Sequence, residues 1–354
     1  MFEGRRTRRS NKMVRISMLF VLTGVVIMVL LVYKFYGRIY EANVALDGEQ
    51  EFFYVPTGSD FEYVIEHLES EGIINDIKSF RWVATRKQYE QNVKPGRYKI
   101  RNGSSNNELV NMLRSGNQDP VMVVFNNLKT LNQVAGKVSQ YLEGDSLEFA
   151  VHLADTALYK KYGFTKETFT SMFIPNTYEF FWTTTPEQFT DRMKREYDDF
   201  WKGDRDKKAK RMEMTRAEVV TLASIVDEET MHDQENGMVA GVYINRLKRG
   251  IPLQADPTLK FAKDDFTVKR ILNSDKDIES PYNTYKYKGL PPGPISIPSI
   301  SAIDGVLNHE DHNYVFFCAK ADFSGYHAFA RSLSEHNKNA REYQKALNNR
   351  QIYR

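Results

Sequence analysis

Three consecutive acids, Asp227, Glu228 and Glu229, stand in the segment Ser224-Ile225-Val226-Asp227-Glu228-Glu229-Thr230. A carboxyl works as an acid near neutrality only where its surroundings raise its pKa, so the question is which of the three faces apolar neighbours. On a helix turning about 100° per residue, Glu229 lies within roughly 20° of Leu222, 40° of Ile225 and 60° of Val226. Glu228 is about 100° away from Glu229 and Asp227 about 160° away, which puts Asp227 on the face expected to be most open to water. Glu229 is therefore the candidate catalyst. A carboxyl at the edge of an apolar face loses hydration when ionised, keeps its proton near neutrality and can protonate the oxygen of a glycosidic bond. The competing reading is an acid that only caps the helix beginning near Asp233.

The helix that must carry Glu229 opens at Thr215-Arg216-Ala217-Glu218, a capping box followed by strongly apolar sequence. A second helix is expected from about Asp233 to Arg249, with Met238/Val239, Val242/Tyr243 and Leu247 at helical spacing and Gly250 as its stop. Residues 251–299 hold seven prolines, at 252, 257, 281, 291, 292, 294 and 298, so little regular structure is expected before a helix near Ser299–Asn308. Tyr314–Ala319 with His327–Ala330 reads as a β-hairpin, and Glu335–Leu347 as a closing helix. Upstream, three stretches repeat a strand, turn and helix order: Glu51–Val55 into Phe61–Leu68, Arg97–Ile100 into Leu109–Leu113, and Val121–Phe125 through Asn126-Asn127 into Leu131–Tyr141. Lys202–Arg211 is a charge run expected to be an exposed linker or a solvated helix end.

The N-terminus sets the compartment. Ile16–Tyr33 carries no charge over eighteen residues, which at about 1.5 Å per residue nearly spans a bilayer core of roughly 30 Å. Six cations precede it (Arg5, Arg6, Arg8, Arg9, Lys12 and Arg15) and only Lys34 and Arg38 follow closely. The positive-inside rule then puts the N-terminus in the cytoplasm and residues from about 39 outside; a cleaved signal peptide is the competing reading, but its apolar region would run about 7–15 residues before a small-x-small site, and here Lys34-Phe35-Tyr36-Gly37-Arg38 follows. Lys and Arg number 49 against 46 Asp and Glu, a net charge of +3. Because that excess sits in the tail, the rest lacks the field needed to grip nucleic acid. Cys318 is the single cysteine, which excludes an intrachain disulfide and a Cys-based zinc site.

Six motifs in order resemble the endolytic murein transglycosylase family, also called YceG-like: Phe173–Tyr178 (FIPNTY), Ala223–Thr230 (ASIVDEET), Val242–Leu247 (VYINRL), Leu253–Thr258 (LQADPT), Tyr282–Tyr285 (YNTY) and Gly289–Pro298 (GLPPGPISIP). His327-Ala328-Phe329 and His336-Asn337 extend the likeness to roughly residues 50–350. Asn176 stands where the family motif has Asp, and Glu228 where it has Lys; the family's catalytic Glu aligns with Glu229. The resemblance implies an α+β chain: a cytoplasmic basic tail (1–15), a transmembrane helix (16–36), a linker (37–50), a LysM-like αβ module (51–118), a second αβ subdomain (119–205) and a mixed α/β catalytic domain (206–354) with the active-site Glu on a helix.

It also implies a lyase of the cell membrane that cuts the N-acetylmuramic acid to N-acetylglucosamine bond of nascent peptidoglycan strands without water, leaves 1,6-anhydro ends and so terminates elongation. One carboxyl suffices there, because the nucleophile belongs to the substrate, whereas ordinary glycosidases need two. No cofactor and no metal is implied. Peptidoglycan strands are the expected partner, with penicillin-binding synthases as a further one. Gln254, Asn283 and Tyr285 are the candidates for hydrogen-bonding the sugars, while Asn245 and Asp256 could instead orient the site; a turn or packing role stands beside each. A water-using muramidase and a non-catalytic glycan-binding scaffold are the alternatives. His309-x-x-His312 lacks a third ligand for zinc, no G-x-S-x-G occurs, and Cys318 sits in an apolar strand. An aminodeoxychorismate lyase reading, which would need a pyridoxal phosphate lysine in a cytosolic chain, conflicts with the anchor.

Overall fold

The computed structural model describes residues 4–126, 128–265, 268 and 271–350, and its contacts divide them into two compact units. The first comprises residues up to 121 with 181–183; the second holds 122–180 and everything from 184 on. The fold is mixed α and β.

Helix α1 (Gly4–Tyr40) runs unbroken through the apolar stretch. Among the described residues its Met13–Tyr40 portion is the one segment long and apolar enough to cross a membrane, with a mean hydropathy of 2.7 in its apolar window. The first unit continues with β1 (Gln50–Val55), α2 (Phe61–Ser70), α3 (Ile77–Arg86), β2 (Gly96–Arg101) and α4 (Asn106–Ser115). Strands β1 and β2 pair antiparallel, Gln50 opposite Arg101 and Val55 opposite Gly96. Alternation turns Phe53, Val55, Tyr98 and Ile100 inward onto Val64, Leu68, Phe80, Val83, Leu109 and Leu113 of the helices. Asp60, Asp76 and Ser105 accept first-turn N–H groups as N-caps, and Ser105 with Glu108 completes a capping box.

The expected linker at 37–50 is not free. Residues 37–40 complete α1, and buried Asn43 fastens the chain beyond it. Its amide donates to Asp76 O at 3.0 Å and Asn106 Oδ1 at 2.7 Å and accepts from Asp76 N at 2.8 Å. An Asn just beyond a long apolar helix reads as solvated; here three polar partners compensate its burial.

The second unit is built from β3 (Val121–Val124), α5 (Leu131–Val138), α6 (Ser146–Leu153), α7 (Thr156–Tyr162), β4 (Thr177–Phe180), α8 (Pro186–Trp201), α9 (Asp204–Arg211), α10 (Arg216–Glu229), α11 (Asn236–Lys248), α12 (Asp256–Ala262), α13 (Ile300–Leu307), β5 (Phe316–Ala319), β6 (His327–Ala330) and α14 (Leu333–Asn349). Strand β3 neighbours β4, and β5 pairs antiparallel with β6 as the expected hairpin. Asn127, in the expected turn after β3, lies outside the described residues.

Two expectations need correction. The charge run forms α9, because Asp204 and Asp206 start it, Lys208, Lys210 and Arg211 end it, and Lys208–Asp204 and Lys210–Asp206 pair at 2.7 and 2.8 Å. It docks on α13 through Arg205 to Asp304 at 2.8 and 2.9 Å. Within the proline-rich stretch Pro257 does not break structure: it stands in the first turn of α12, where a missing N–H costs nothing. Asn43→Ala should strip partners from Asn106 and the Asp76 N–H, destabilising the first unit by about 1–3 kcal/mol. Hydrogen exchange of the β1 and β2 amides, compared between native and variant chains, should show faster exchange in the variant.

Candidate active site

Helix α10 brings Glu229 to its place. Thr215 caps it with the expected box, residues 219–226 are all buried, and Glu229 is the last helical residue. The helix ends at Thr230, whose extended backbone turns the chain away and whose hydroxyl accepts from His232 N at 3.1 Å. Nearby, Glu235 accepts from both His327 N at 2.9 Å and His327 Nδ1 at 2.8 Å, tying the segment after α10 to β6. On the other flank Ser224 Oγ receives Ile295 N at 3.0 Å, and Ile297 N reaches Leu128 O at 3.0 Å. Gly293 allows this loop to lie close, since a Cβ there would meet Glu167 O at 2.0 Å.

The three acids do not sort as one apolar face implied. Asp227 is half-buried and holds the start of α13: its carboxylate accepts from Ser299 Oγ and from Ser299 N at 3.2 Å. Burial pushes the Asp227 carboxyl up, while these bonds pull it down. The wheel fails here because α10 is covered by both α11 and α13, so no single face faces water. Glu228 is the outward acid and pairs with Lys129 at 2.7 Å.

Glu229 keeps part of its surface open but sits deep among protein atoms, and burial pushes its carboxyl up from the usual 4.5 to about 7. The negative charge of Asp256 pushes the same way, whereas a bond from Tyr243 and the charges of Lys260 and Arg246 pull down. Its position at the C-terminal end of a helix also disfavours the ionised form. Tyr243 Oη donates to Glu229 Oε1 at 2.9 Å. Among the described residues this is the carboxyl's one hydrogen bond, which leaves Oε2 unclaimed. A cavity of about 360 Å³ opens on this acid, with Leu128, Lys129, Asp227, Met231 and Ile297 in its wall.

Gln254 and Asp256 are exposed and Tyr285 is half-buried, and the last two are joined: Tyr285 Oη donates to Asp256 Oδ1. Gln254 takes a left-handed backbone, φ 55°, and its side-chain oxygen accepts from Arg246 Nη1 at 3.2 Å. Threonines weld their segments together: Ala255 N donates to Thr284 Oγ1 at 3.0 Å, and Thr284 Oγ1 contacts Thr258 Oγ1 at 2.9 Å. Asn283 is 0 % exposed. Its amide donates to Lys276 O and Ile278 O at 2.8 and 2.9 Å and accepts from Tyr285 N at 3.0 Å, so it builds the turn and has no free face for the expected sugar contact. Asn245 likewise clamps α11 to the segment before β5, donating to His312 O at 2.7 Å and Tyr314 O at 3.0 Å.

Tyr243 and Arg246 are the residues that sequence reasoning passed over. Tyr243 was assigned only to the core, yet a buried tyrosine needs a partner for its hydroxyl, and that requirement was the available signal. Buried Arg246 donates to Val315 O at 2.6 Å, Leu253 O at 2.8 Å and Pro252 O at 3.0 Å, which fixes a positive charge near Glu229. The ring nitrogens of His309 and His312 meet the carbonyls of Val306 and Met238 at 3.1 and 3.0 Å. Phe173–Tyr178 serves as scaffold: Tyr178 Oη donates to Ile174 O at 2.7 Å and Asn176 O accepts from Phe125 N at 2.9 Å.

A model of the YceG-like family matches residues 53–342. An endolytic murein transglycosylase of Bacillus subtilis is 39% identical over 125 residues, covering 35% of this chain and 34% of that one. Its namesake from Streptococcus pneumoniae is 27% identical over 329 residues, covering 82% and 57%. A crystal structure of a YceG-like protein from Listeria monocytogenes shares 26% identity at a TM-score of 0.55, over 82% of this chain and 98% of that one. The chain thus spans 34% and 57% of the length of these two curated relatives.

Because the folded pKa of Glu229 lies above its unfolded value, stability linked to this group is fully present below about 4.5 and lost as pH rises through about 7. Glu229→Gln should therefore melt higher than the native chain above pH 7 and nearly with it at low pH, as calorimetry across that range would read.

Proposed function

Since the chain belongs to the YceG-like family, we propose that it is a membrane-anchored endolytic lytic transglycosylase acting on peptidoglycan glycan strands, with Glu229 as acid and then base. The observation that carries this reading is one carboxyl, Glu229, of the three acids that line the open cavity, held near pKa 7 with one oxygen fixed and one free.

The chemistry follows from that arrangement. Tyr243 occupies Oε1, so the proton resides on Oε2 and is delivered to the oxygen joining N-acetylmuramic acid to N-acetylglucosamine. The C1–O bond breaks and the departing sugar keeps that proton. Glu229, now ionised and stabilised by the Tyr243 hydroxyl, takes the proton of the muramic acid C6 hydroxyl as O6 bonds to C1. The 1,6-anhydro product forms without water and the acid is restored. A hydrogen bond that favours the ionised carboxylate matters for the second half, while burial favours the first. Gln254, Tyr285 and Asp256 form the rim that orients the sugars, and Arg246 holds Gln254. Helix α1 spans the cell membrane with its N-terminus in the cytoplasm, which puts the catalytic part outside. The module at 51–118 is the glycan-holding, LysM-like part, and synthases of the penicillin-binding class are the natural source of the strand.

One observation favours a second reading. Asp256 is the other carboxylate whose charge acts on Glu229, and a water-using muramidase would need such a partner. The two routes differ in what Asp256→Asn does: on the water-free route cleavage falls far less than with Glu229→Gln, on the hydrolytic route about as much. Glu229→Gln itself should lower cleavage of uncrosslinked strands by roughly 10²–10⁴-fold or more. Unchanged cleavage in that variant would overturn the assignment.

Activity needs the protonated acid, so it is present below the Glu229 pKa and falls as pH rises through about 7. Tyr243→Phe removes the bond that stabilises the ionised form, and the falling limb should move up by about one pH unit while the maximal rate drops. A limb that stays at the native position would show that the Tyr243 bond does not tune the acid.

A further inference from the structure

The way α1 joins the first unit fixes where that unit sits, given the membrane-spanning reading of α1. The uncharged run ends at Tyr33, and Lys34 and Arg38 follow. The helix nevertheless continues to Tyr40. At about 1.5 Å per residue, positions 35–40 stand roughly 3–10 Å beyond the end of that run. A headgroup layer is about 5–8 Å deep on each side of the hydrocarbon, so these positions lie in it or at its outer edge.

The first unit is built directly against this part of the helix. Phe35 lies 5.5 Å from Trp82 of α3, ring centre to ring centre, so the two differ in depth by no more than that. Arg38 O accepts from Asn106 Nδ2 of α4 at 2.9 Å, and Ile39 packs on the unit's core. Three residues past the helix, Asn43 locks the chain to Asp76 and Asn106 at the starts of α3 and α4. No flexible tether separates the span from the module.

The chemistry at this depth matches lipid headgroups. Tyr36 and Tyr40 lie 4.9 Å apart, yet remain 58 % and 53 % exposed. The Arg86 guanidinium stands 5.5 Å over the Trp82 ring. Lys34 and Arg38 line a cavity of about 580 Å³, which they share with the carboxylates of Glu41 and Asp76. Aromatic rings with polar tips, interleaved with cations just beyond an apolar span, are the composition of a membrane interface, and the cations suit anionic lipids.

We propose that the first unit is seated on the bilayer, with Lys34, Tyr36, Arg38, Tyr40, Trp82 and Arg86 forming a collar in the outer headgroup layer that binds anionic phospholipid. The module is then a fixed extension of the anchor, and a strand it holds is one running close to the membrane surface.

The test uses the full chain in vesicles of phosphatidylcholine and phosphatidylglycerol, in a Cys318→Ser background. Single cysteines replace Thr85, in the last turn of α3, or Leu22, within the span, and carry an environment-sensitive fluorophore. Quenching is compared between lipids bearing a nitroxide on the headgroup and lipids bearing one deep in the acyl chain. The label at 85 should be quenched severalfold more by the headgroup nitroxide, more so as phosphatidylglycerol increases, and the label at 22 by the deep one. If 22 is quenched by the deep nitroxide while 85 is quenched by neither, the anchor stands and the seated module is wrong. If 22 is unquenched, the anchor reading itself fails and the collar with it. Lys34→Glu with Arg38→Glu should reduce the phosphatidylglycerol dependence at 85, and an unchanged dependence would overturn the role of these cations.

Discussion

Everything about the site depends on one carboxyl being dry enough to keep its proton near neutrality and open enough to meet a substrate. Burial and the charge of Asp256 push the Glu229 carboxyl up; the Tyr243 hydroxyl, Lys260 and Arg246 push it down, and the balance falls at about 7. On the proposed acid-then-base route, either set alone would leave one of the two steps without the form of the carboxyl it needs. A carboxyl left at 4.5 has no proton to give at neutral pH, and one without donors would not ionise to act as base.

That balance is geometric, and distant segments of the chain hold the geometry. Tyr243 is fixed in the core of α11 with its ring edge-on to Phe317 at 5.8 Å. Arg246, one turn on, is clamped by carbonyls from both the segment after α11 and the segment before β5. Gly241 lets that second segment come near, because a Cβ there would stand 2.6 Å from Glu310 O. Thr284 and Thr258 join the segments that carry Gln254, Asp256 and Tyr285. These buried polar links are satisfied by the arrangement seen, and a fully satisfied buried network rigidifies the segments it joins. Asp227 extends the same logic by capping α13 beside the acid it precedes by two residues.

How much could be read without coordinates depended on whether the signal was local. The capping box at Thr215, the hairpin of β5 and β6 and the start of α13 at Ser299 involve neighbours in sequence, and each formed as its residues imply. The choice of Glu229 over Glu228 rested on the apolar face, and Glu228 is the more exposed of the two. The expectation for Asp227 failed because a wheel ranks faces of a half-exposed helix, and α10 is enclosed. Tyr243 was hidden because its partner lies 14 residues away. Asn283 has the hydrogen-bonding groups of a sugar ligand, yet it also has those of a turn builder, and only burial separates the two. Helix α12 was concealed by counting Pro257 as a breaker without asking where in a helix it would stand.

The central claim is that one acid suffices because the nucleophile is the substrate's own hydroxyl. Digesting uncrosslinked glycan strands in ¹⁸O-labelled water and weighing the new ends by mass spectrometry tests it most directly. The account predicts 1,6-anhydro ends with no label. Reducing ends carrying ¹⁸O would contradict it, and would identify water as the nucleophile and Asp256 as the residue to examine next.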